Sequence, residues 1–424
     1  MFKHKDIITA IEIGGSKICV LLGEVSDGAP FEVIGQSEVP LDNEVVKGEI
    51  TDMDRTLEKF IRALEIADAS SGGELNNSVI TAMSVTGCNI NSYQASAMGF
   101  IKSSDGRISE QDIDDAVSMI EKKPLAANQE KLNIIDSYYL LDGVRRVRNP
   151  FEQNAHKFEL FCHVIYGDSN RINNFRSIFL DAGFEEQPNL IFSALADLYG
   201  IVSAEEREHG ALLVDIGRGT TEYIAIFNDG VFASGVIPVG FDHVANDLAV
   251  GLDLPLDVCR DLVSGNALQQ YAAGGSGIVD LVAGNARRRI PLASFEKIID
   301  LRLRELFGIV KSSFHDQELL RNLACGGILT GGGALFPRTA ELFNSVFEFP
   351  VRIGYPYDHN RDLGALADPR YSTLWGTLCY AAEQLKMLNS GRKRGLMGAL
   401  SDVVGTMGDS AWRTLAGLRN SIKI

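Results

Sequence analysis

Residues 211–221 read ALLVDIGRGTT, an apolar run that ends in an aspartate and a glycine-containing turn. A second strand-like run, EYIAIF at 222–227, follows the turn, so the pattern predicts a β-hairpin. The same pattern occurs near the start of the chain, where IITAIEI at 7–13 leads to Gly14-Gly15 and a second apolar run occupies 17–25. One hairpin used twice, each time with an acidic residue before its turn, predicts a duplicated structure with two similar lobes.

The length and composition describe a globular protein with more than one core. A chain of 424 residues is too long for a single hydrophobic core. Its 45% hydrophobic and 23% charged residues are ordinary for a folded protein. The formal net charge of −16 argues against a nucleic-acid partner, which needs clustered Lys and Arg. No apolar run reaches the roughly 18 residues of a membrane-spanning helix, so we expect a soluble chain unless something attaches it to a surface.

The six cysteines stand far apart, with no Cys-x-x-Cys pair among them. This scatter predicts free thiols in a reducing compartment and no zinc site.

Helical spacing of apolar residues recurs along the chain. It predicts helices over 56–69, 172–182 and 292–314. A later apolar run at 328–330 predicts a strand that delivers the triple glycine at 331–333.

The segment 85–166 differs in texture and predicts a small α+β insertion. A helix is expected over 110–121, after the N-cap candidate Ser109. Strand-like runs follow at 134–141 and 158–165.

Glycine turns suit phosphate binding, because backbone N–H groups converge on an anion where no side chain blocks the approach. An acidic residue at the end of each first strand can hold Mg²⁺ beside the phosphates, usually through water. Glu12 and Asp215 have this position. The predicted nucleotide-binding residues are Gly14, Gly15, Ser16, Lys17, Asp215, Gly217, Arg218, Gly219, Thr220, Thr221, Gly331, Gly332 and Gly333. The P-loop pattern G-x-x-x-x-G-K-[ST] is absent from the sequence.

Several stretches resemble the bacterial cell-division family FtsA, within the superfamily of actin, heat-shock chaperones and sugar kinases. They are IEIGGSKICVLLGEV, LIFSALADLYGIVSAEE, VDIGRGTTEYIAIF followed by VIPVG, LTGGGALFP, and VRIGYP followed by YSTLWGTLCYA. The resemblance covers nearly the whole chain. It implies an α/β class and a two-lobed, actin-like (duplicated ribonuclease H-like) ATPase fold, with an inserted α+β subdomain and a C-terminal amphipathic helix.

The resemblance also implies a division of the chain. We expect a first lobe formed by 1–83 and 168–200, with 372–390 returning to it, and an inserted subdomain at 84–167. The second lobe is expected to have its core at 201–250 and 315–371 and a helical subdomain at 251–314. Residues 391–424 would be a linker and a membrane-targeting tail.

Two departures from the family bear on nucleotide chemistry. Similar sequences read DIGGGT in the second turn, whereas this chain has arginine at 218, which could contact phosphate or crowd the turn. The Glu and Lys that relatives use for the ribose are not evident, since Asp257, Cys259 and Arg260 stand there. The resemblance therefore implies ATP and Mg²⁺ as cofactors, with slow hydrolysis or an ATP-binding pseudoenzyme.

The last 34 residues carry six basic and two acidic residues, against the acidic body. At helical spacing they offer apolar positions that suit an interfacial membrane helix, or alternatively a helix packed on the body or a partner. These positions are Leu396, Leu400, Val403, Met407, Trp412, Leu415, Leu418 and Ile422. Which stretch inserts stays open at this point.

The family resemblance implies a function at the division site, on the cytoplasmic face of the cell membrane. An FtsA-like protein polymerises there, binds the FtsZ C-terminal tail, tethers FtsZ filaments and recruits later division proteins. Arg302 aligns with an arginine of similar sequences and is expected to bind the acidic FtsZ tail, although it could also be a solvated surface charge. The alternatives are a PilM-like pilus-assembly adaptor and a kinase or phosphotransferase of the same superfamily.

Overall fold

Two five-stranded sheets with the same topology form the framework of the chain. The computed structural model describes residues 5–26, 31–264, 268, 277–283, 286–314, 317–359 and 361–390. The predicted membrane-tail residues, from Leu396 to Ile422, lie outside the described residues. Within the described part of the chain, no helix is long and apolar enough to cross a membrane.

The first sheet is built around the predicted N-terminal hairpin, and its strand order is β11-β6-β1-β2-β3. β1 pairs antiparallel with β2 and parallel with β6. The strands are β1 (Lys5–Ile13), β2 (Lys17–Ser26), β3 (Glu32–Pro40), β6 (Ser78–Val85) and β11 (Asn189–Phe192). A two-stranded hairpin, β4 (Val45–Val46) with β5 (Glu49–Ile50), follows β3.

Four helices complete the core of the first sheet. They are α1 (Met53–Ser71), α3 (Ser169–Asp181), α4 (Ser193–Ile201) and α10 (Ser372–Ser390). α1 packs on β2 and β3, whereas α10 packs on α4, β1, β2 and β6. The helices predicted over 56–69 and 172–182 are confirmed, each within one turn at its ends.

The second sheet repeats this arrangement, in the order β14-β13-β12-β17-β18. β12 pairs antiparallel with β13 and parallel with β17, as β1 does with β2 and β6. The strands are β12 (Ala211–Ile216), β13 (Thr221–Phe227), β14 (Gly230–Ile237), β17 (Gly327–Thr330) and β18 (Val351–Ile353). The duplication predicted from the two hairpins is therefore confirmed.

The helices α6 (Phe241–Leu252), α8 (Leu292–Ser312) and α9 (Thr339–Phe347) contribute apolar residues to the core of the second sheet. The short helix α5 (Ala204–His209) precedes β12, and the short helix α7 (Leu256–Ser264) follows α6 and packs on it. The stretch expected to be helical at 251–314 also contains a β-hairpin, β15 (Ile278–Ala283) with β16 (Ala286–Pro291). The strand β16, which reads ARRRIP, carries three consecutive arginines and therefore lacks the apolar alternation by which a strand is predicted.

The inserted segment forms its own sheet, with the order β7-β10-β8-β9. Its elements are β7 (Asn91–Gly99), α2 (Glu110–Glu121), β8 (Gln129–Leu141), β9 (Arg145–Val147) and β10 (Phe158–Asp168). Helix α2 has the predicted bounds, because Ser109 caps it and Asp112 completes a capping box.

The inserted sheet is fixed to both larger sheets by side-chain hydrogen bonds. Asn133 accepts from the Phe192 N–H (2.9 Å) and donates to the Leu190 carbonyl (3.2 Å), which ties it to β11. The Ser92 hydroxyl donates to the carbonyl of Ser234 on β14 (2.7 Å). The insertion thus bridges the two halves of the molecule.

Candidate functional site

The turns of the two duplicated hairpins face each other. The Gly14 N–H closes the first turn on the Lys17 carbonyl (3.0 Å), and the Gly217 N–H closes the second on the Thr220 carbonyl (2.9 Å). A β-carbon added to Gly15 would lie 3.8 Å from the β-carbon of Arg218. Two turns that are far apart in sequence therefore border one cleft.

The triple glycine reaches the same place. β17 runs parallel to β12, with Thr330 beside Asp215. Gly331 has a left-handed φ of +78°, and a β-carbon there would lie only 2.0 Å from Asp215 Oδ1. Glycine is therefore required at this position.

The other two glycines of this segment differ in their surroundings. A β-carbon on Gly333 would lie 2.4 Å from the Phe241 ring, so Gly333 is needed for packing. Gly332 has only the Cγ of Arg370 within 4 Å of such a carbon. Gly332 is the one whose surface is open enough to receive a flat group.

Four acidic side chains meet beneath the three glycine segments: Glu12, Asp197, Asp215 and Glu222. Three of their oxygens, Glu12 Oε2, Asp197 Oδ2 and Asp215 Oδ1, are buried and have no hydrogen-bond partner among the residues that the structure describes. Burial raises the pKa of Glu12 to about 7, against the opposing effect of the nearby Lys17 ammonium. The positive charge of Lys17 therefore offsets only part of the effect of burial.

Burial also raises the pKa of Asp215 well above its usual range, and the charges of Glu222 and Glu12 add to the effect. Asp197 is shifted in the same direction, by burial first and then by the charge of Asp215. The carboxylates thus repel one another in a site shielded from water, and a cation bound nearby would relieve this repulsion.

The fit to Mg²⁺ depends on how the carboxylates would reach the ion. In the described residues, no group of three or more His, Cys, Asp or Glu side chains could hold a metal directly. The orphaned oxygens of Glu12 and Asp215 nevertheless suit a hydrated cation, since Mg²⁺ commonly keeps several waters and binds through one or two carboxylates.

Threonine hydroxyls hold the acidic group in place. Thr373 Oγ1 donates to Asp197 Oδ1 (2.9 Å). Glu222 Oε1 accepts from the Thr220 hydroxyl (2.8 Å) and from Thr86, which follows β6 of the first sheet. The carboxylate of Glu222 is therefore fixed from both halves of the molecule.

Sequence reasoning missed four of these residues. Asp197 had a detectable signal, because it is the one acidic residue in the apolar helix SALADLYGI. Glu222 stands directly after the second turn, and this position marks it as a further candidate for the acidic group. Nothing in the local sequence distinguishes Thr86 or Thr373, which act through contacts with residues more than 100 positions away.

The predicted residues of the first turn have different environments. Lys17 Nζ lies 2.9 Å from Glu38 Oε2 and 3.5 Å from the centre of the Tyr371 ring. Ser16 is exposed, and its carbonyl accepts from the Leu41 N–H (2.8 Å). Lys17 is thus positioned by Glu38 beside the acidic group.

In the second turn, the side chain of Thr221 has a structural role and does not face the cleft. Its buried hydroxyl donates to the Val239 carbonyl (2.8 Å). The sequence leaves two roles open for Arg218, phosphate contact and crowding of the turn. In the structure its side chain contacts protein groups, because Nη1 donates to the carbonyls of Gly15 and Leu41, each at 3.2 Å. It therefore crosses the cleft without crowding the turn.

The predicted partner residue Arg302 lies away from this cleft, on α8. It forms a bidentate pair with Asp247 of α6 at 2.5 and 2.8 Å, and Nη1 lies 2.6 Å from Glu305. The neighbouring Leu301 and Val250 are exposed, at 62% and 86%. The partner role of Arg302 stays a prediction, in which an acidic peptide must compete with Asp247.

Family models match two parts of the chain. The model described as "Cell division protein FtsA" matches residues 212–376, and that of the "SHS2 domain inserted in FTSA" matches residues 87–166. The FtsA of Borreliella burgdorferi is 28% identical over 386 residues, covering 90% of this chain and 92% of the relative. The FtsA of Escherichia coli K12 is 27% identical over 396 residues, covering 90% and 92%.

Solved structures share the fold at low sequence identity. A chain of the PilM-PilN type IV pilus biogenesis complex matches with a TM-score of 0.61 at 15% identity, covering 88% of this chain and 98% of the other. MreB 5 of Spiroplasma citri bound to AMPPNP matches with a TM-score of 0.53 at 12% identity, covering 91% and 99%. These likenesses and the inserted SHS2 domain confirm the predicted two-lobed, actin-like fold.

Proposed function

The chain belongs to the FtsA family of cell division proteins, and from this premise we propose that it binds ATP, assembles on the cytoplasmic membrane and anchors FtsZ filaments there. The observation that carries the nucleotide part is the convergence of three glycine segments on one group of buried carboxylates. Later division proteins would be recruited to the resulting assembly at the division site.

The phosphates of ATP are proposed to bind between the two facing turns. Backbone N–H groups of Gly14 to Lys17 and of Gly217 to Thr221 would supply the anion contacts, because glycine leaves the backbone accessible. The open face of Gly332 would receive the adenosine, between its neighbours Gly331 and Gly333. MreB 5, which shares this fold, binds AMPPNP, and that observation supports the same ligand class here.

Magnesium is proposed to be held through water by Glu12 and Asp215, whose buried oxygens lack a partner. The ion would neutralise charge on the phosphates. Lys17 would contribute a second positive charge at the same edge of the acidic group. Whether the chain hydrolyses ATP slowly or only holds it is a separate question from binding.

The tether requires two further attachments. The basic, amphipathic residues 391–424 suit an interfacial helix, and weak attachment of single chains becomes strong when they self-associate. The exposed apolar residues beside Arg302 suit the acidic, partly apolar tail of FtsZ.

Nucleotide binding is tested by filling the space between the turns. The β-carbon of a Gly15→Val side chain would lie at ordinary van der Waals distance from its nearest neighbour, 3.8 Å from the Arg218 β-carbon, and thermal melting checks that the variant is folded. We expect calorimetric titration with Mg-ATP to give at least a tenfold weaker affinity, because the new methyl groups block the approach of phosphate.

The matched control is Gly308→Ala on α8, where nothing lies within 4 Å of the added carbon. It should bind ATP as the unaltered chain does. If Gly15→Val also binds ATP normally, the phosphates do not lie between these turns. Removal of Mg²⁺ with EDTA should weaken ATP binding by the unaltered chain and by Gly308→Ala.

A further inference from the structure

Arg218 lies in the second turn, between Gly217 and Gly219. Its side chain is 23% exposed, so most of it is covered by protein.

The guanidinium bonds to the opposite half of the molecule. Nη1 donates to the Gly15 carbonyl in the first turn and to the Leu41 carbonyl directly after β3, each at 3.2 Å. Arg218 itself lies between β12 and β13 of the second sheet. One side chain therefore joins the two glycine turns across the cleft.

The start of α6 holds the arginine in this orientation. Nε lies 3.2 and 3.3 Å from the two carboxylate oxygens of Asp242. The Asp242 N–H in turn donates to the Arg218 carbonyl (2.8 Å). The close approach depends on Gly240, whose added β-carbon would lie 2.6 Å from that same carbonyl oxygen. Arg218 is thus fixed at its backbone and at its side chain.

A second cation completes the anchor. Arg260 Nε lies 3.2 Å from Asp242 Oδ1, so the carboxylate lies between two guanidinium groups. The bond of Arg260 to Asp242 stays within the second half of the molecule, whereas Arg218 also reaches Gly15 and Leu41 in the first half. Removal of Arg260 therefore perturbs the anchor and leaves the cross-cleft bonds in place.

We propose that Arg218 is a positioning residue that holds the two glycine turns together before any nucleotide enters. With glycine at this position, the bonds to Gly15 and Leu41 would be absent. Charged N–H donors bond carbonyls more strongly than neutral ones, so the link is stable in a partly buried cleft. The halves of this chain are then closed without a ligand, and ATP contributes correspondingly less to closure.

The bonds of Arg218 to Gly15 and Leu41 form a latch between the two turns. The effect of this latch on ATP binding rests on the proposed function, whereas the latch itself does not. Phosphate oxygens are stronger acceptors than carbonyls, so ATP would draw the guanidinium away from Gly15 and Leu41. Mg-ATP should therefore protect the turns less in the unaltered chain than in a chain that lacks the arginine.

The latch is tested by amide hydrogen exchange on the full-length chain without nucleotide. Arg218→Met keeps the length of the side chain and its β-carbon but removes every donor. We expect peptides that contain Gly14 and Leu41 to exchange about tenfold faster in this variant, because closure of the two turns is lost. Arg218→Lys should restore part of the protection through its single ammonium group.

Arg260→Met is the matched control and should leave the same peptides within about twofold of the unaltered chain. Equal exchange in Arg218→Met and the unaltered chain would overturn the proposal. Faster exchange throughout the molecule, with no excess at the two turns, would also overturn it, since Arg218 would then be only a stabilising residue. Titration with ATP separately tests the proposed nucleotide site, so the two failures are distinguishable.

Discussion

The hydroxyl group of Thr373 lies 2.9 Å from Asp197 Oδ1 and donates its hydrogen to that carboxylate, across 176 positions of sequence. Both residues are buried, Thr373 in the first turn of α10 and Asp197 in α4. The same hydroxyl oxygen lies 3.4 Å from Asp215 Oδ2. One threonine therefore fixes the floor of the acidic group from the last described helix.

Removal of this hydroxyl should destabilise the fold. Thr373→Val keeps the shape of the side chain but leaves a buried carboxylate without its donor, which costs roughly 1–3 kcal/mol in the free energy of unfolding. Urea denaturation of the nucleotide-free chain measures the change. Thr377→Val on the same helix is the control, since its hydroxyl only repeats a helical contact with the Thr373 carbonyl (2.7 Å). Equal stability losses in the two variants would contradict the special role of Thr373.

The raised pKa of Glu12 predicts a loss of stability as the pH rises from 4.5 through about 7. Its pKa is raised by burial from 4.5 to about 7, so the folded chain holds a proton that the unfolded chain has already released. Stability from this group is complete below pH 4.5 and is lost as the pH passes through 7. Between pH 6.5 and 8 the loss should be about 1 kcal/mol. Denaturant titrations at both values measure it, and Glu12→Gln should lose less stability over the same interval.

The lowered pKa of His163 predicts the opposite trend, a loss of stability as the pH falls. Burial lowers its pKa from 6.5 to about 3, so the folded chain excludes a proton that the unfolded chain accepts. The Gln94 amide donates to Nδ1 (3.0 Å), so the proton of the neutral ring is on Nε2, which faces the Ser234 hydroxyl (2.8 Å). Stability from this residue is present above pH 6.5 and is lost towards pH 3.

The comparison with His163→Gln isolates this contribution. Between pH 8 and pH 5 the unaltered chain should lose about 2 kcal/mol more unfolding free energy than the variant. An identical acid sensitivity in the two chains would mean that His163 takes up a proton without leaving its buried position.

Gln94→Ala, measured alongside, should weaken attachment of the inserted sheet to β14, because Gln94 also donates to the carbonyls of Val231 and Phe232.

Arg302 predicts competition between an acidic peptide and Asp247. Arg302→Ala should weaken binding of a fluorescent FtsZ-tail peptide several-fold in an anisotropy titration, whereas Asp247→Asn should strengthen it by freeing the guanidinium. Arg304→Ala is the control, since Arg304 is on the same helix and contacts Ser345 (2.9 Å). If the two alanine variants bind the peptide equally, the tail binds elsewhere on the chain.

The sequence predicts local structure well where periodicity and capping act alone. Ser109 marks the start of α2 because its hydroxyl accepts from the third N–H of the helix, a contact that needs no other part of the fold. The two hairpins follow in the same way from apolar runs that end at glycine, whereas the approach of their turns depends on the tertiary structure. The sequence pattern does not predict the hairpin over 278–291, because three consecutive arginines on β16 leave no apolar alternation.

The contacts that complete the candidate site depend on the tertiary structure. Thr86 and Glu222 come from different sheets, and their hydrogen bond exists only after both sheets have formed. The pairing of Arg302 with Asp247 likewise joins two helices that are 55 positions apart. Asp197 is the exception, since an acid within an apolar helix must have a buried partner or a function.

The tether is tested most directly by co-sedimentation with anionic vesicles, with and without FtsZ. The full-length chain is compared with a chain that ends at residue 390, once circular dichroism and thermal melting show that the shorter chain is folded. We expect the full-length chain to bind vesicles and to bring FtsZ down with it, and the shorter chain to leave both in the supernatant. Equal vesicle binding by the two chains, or vesicle-bound full-length chain that leaves FtsZ in solution, would contradict the tether.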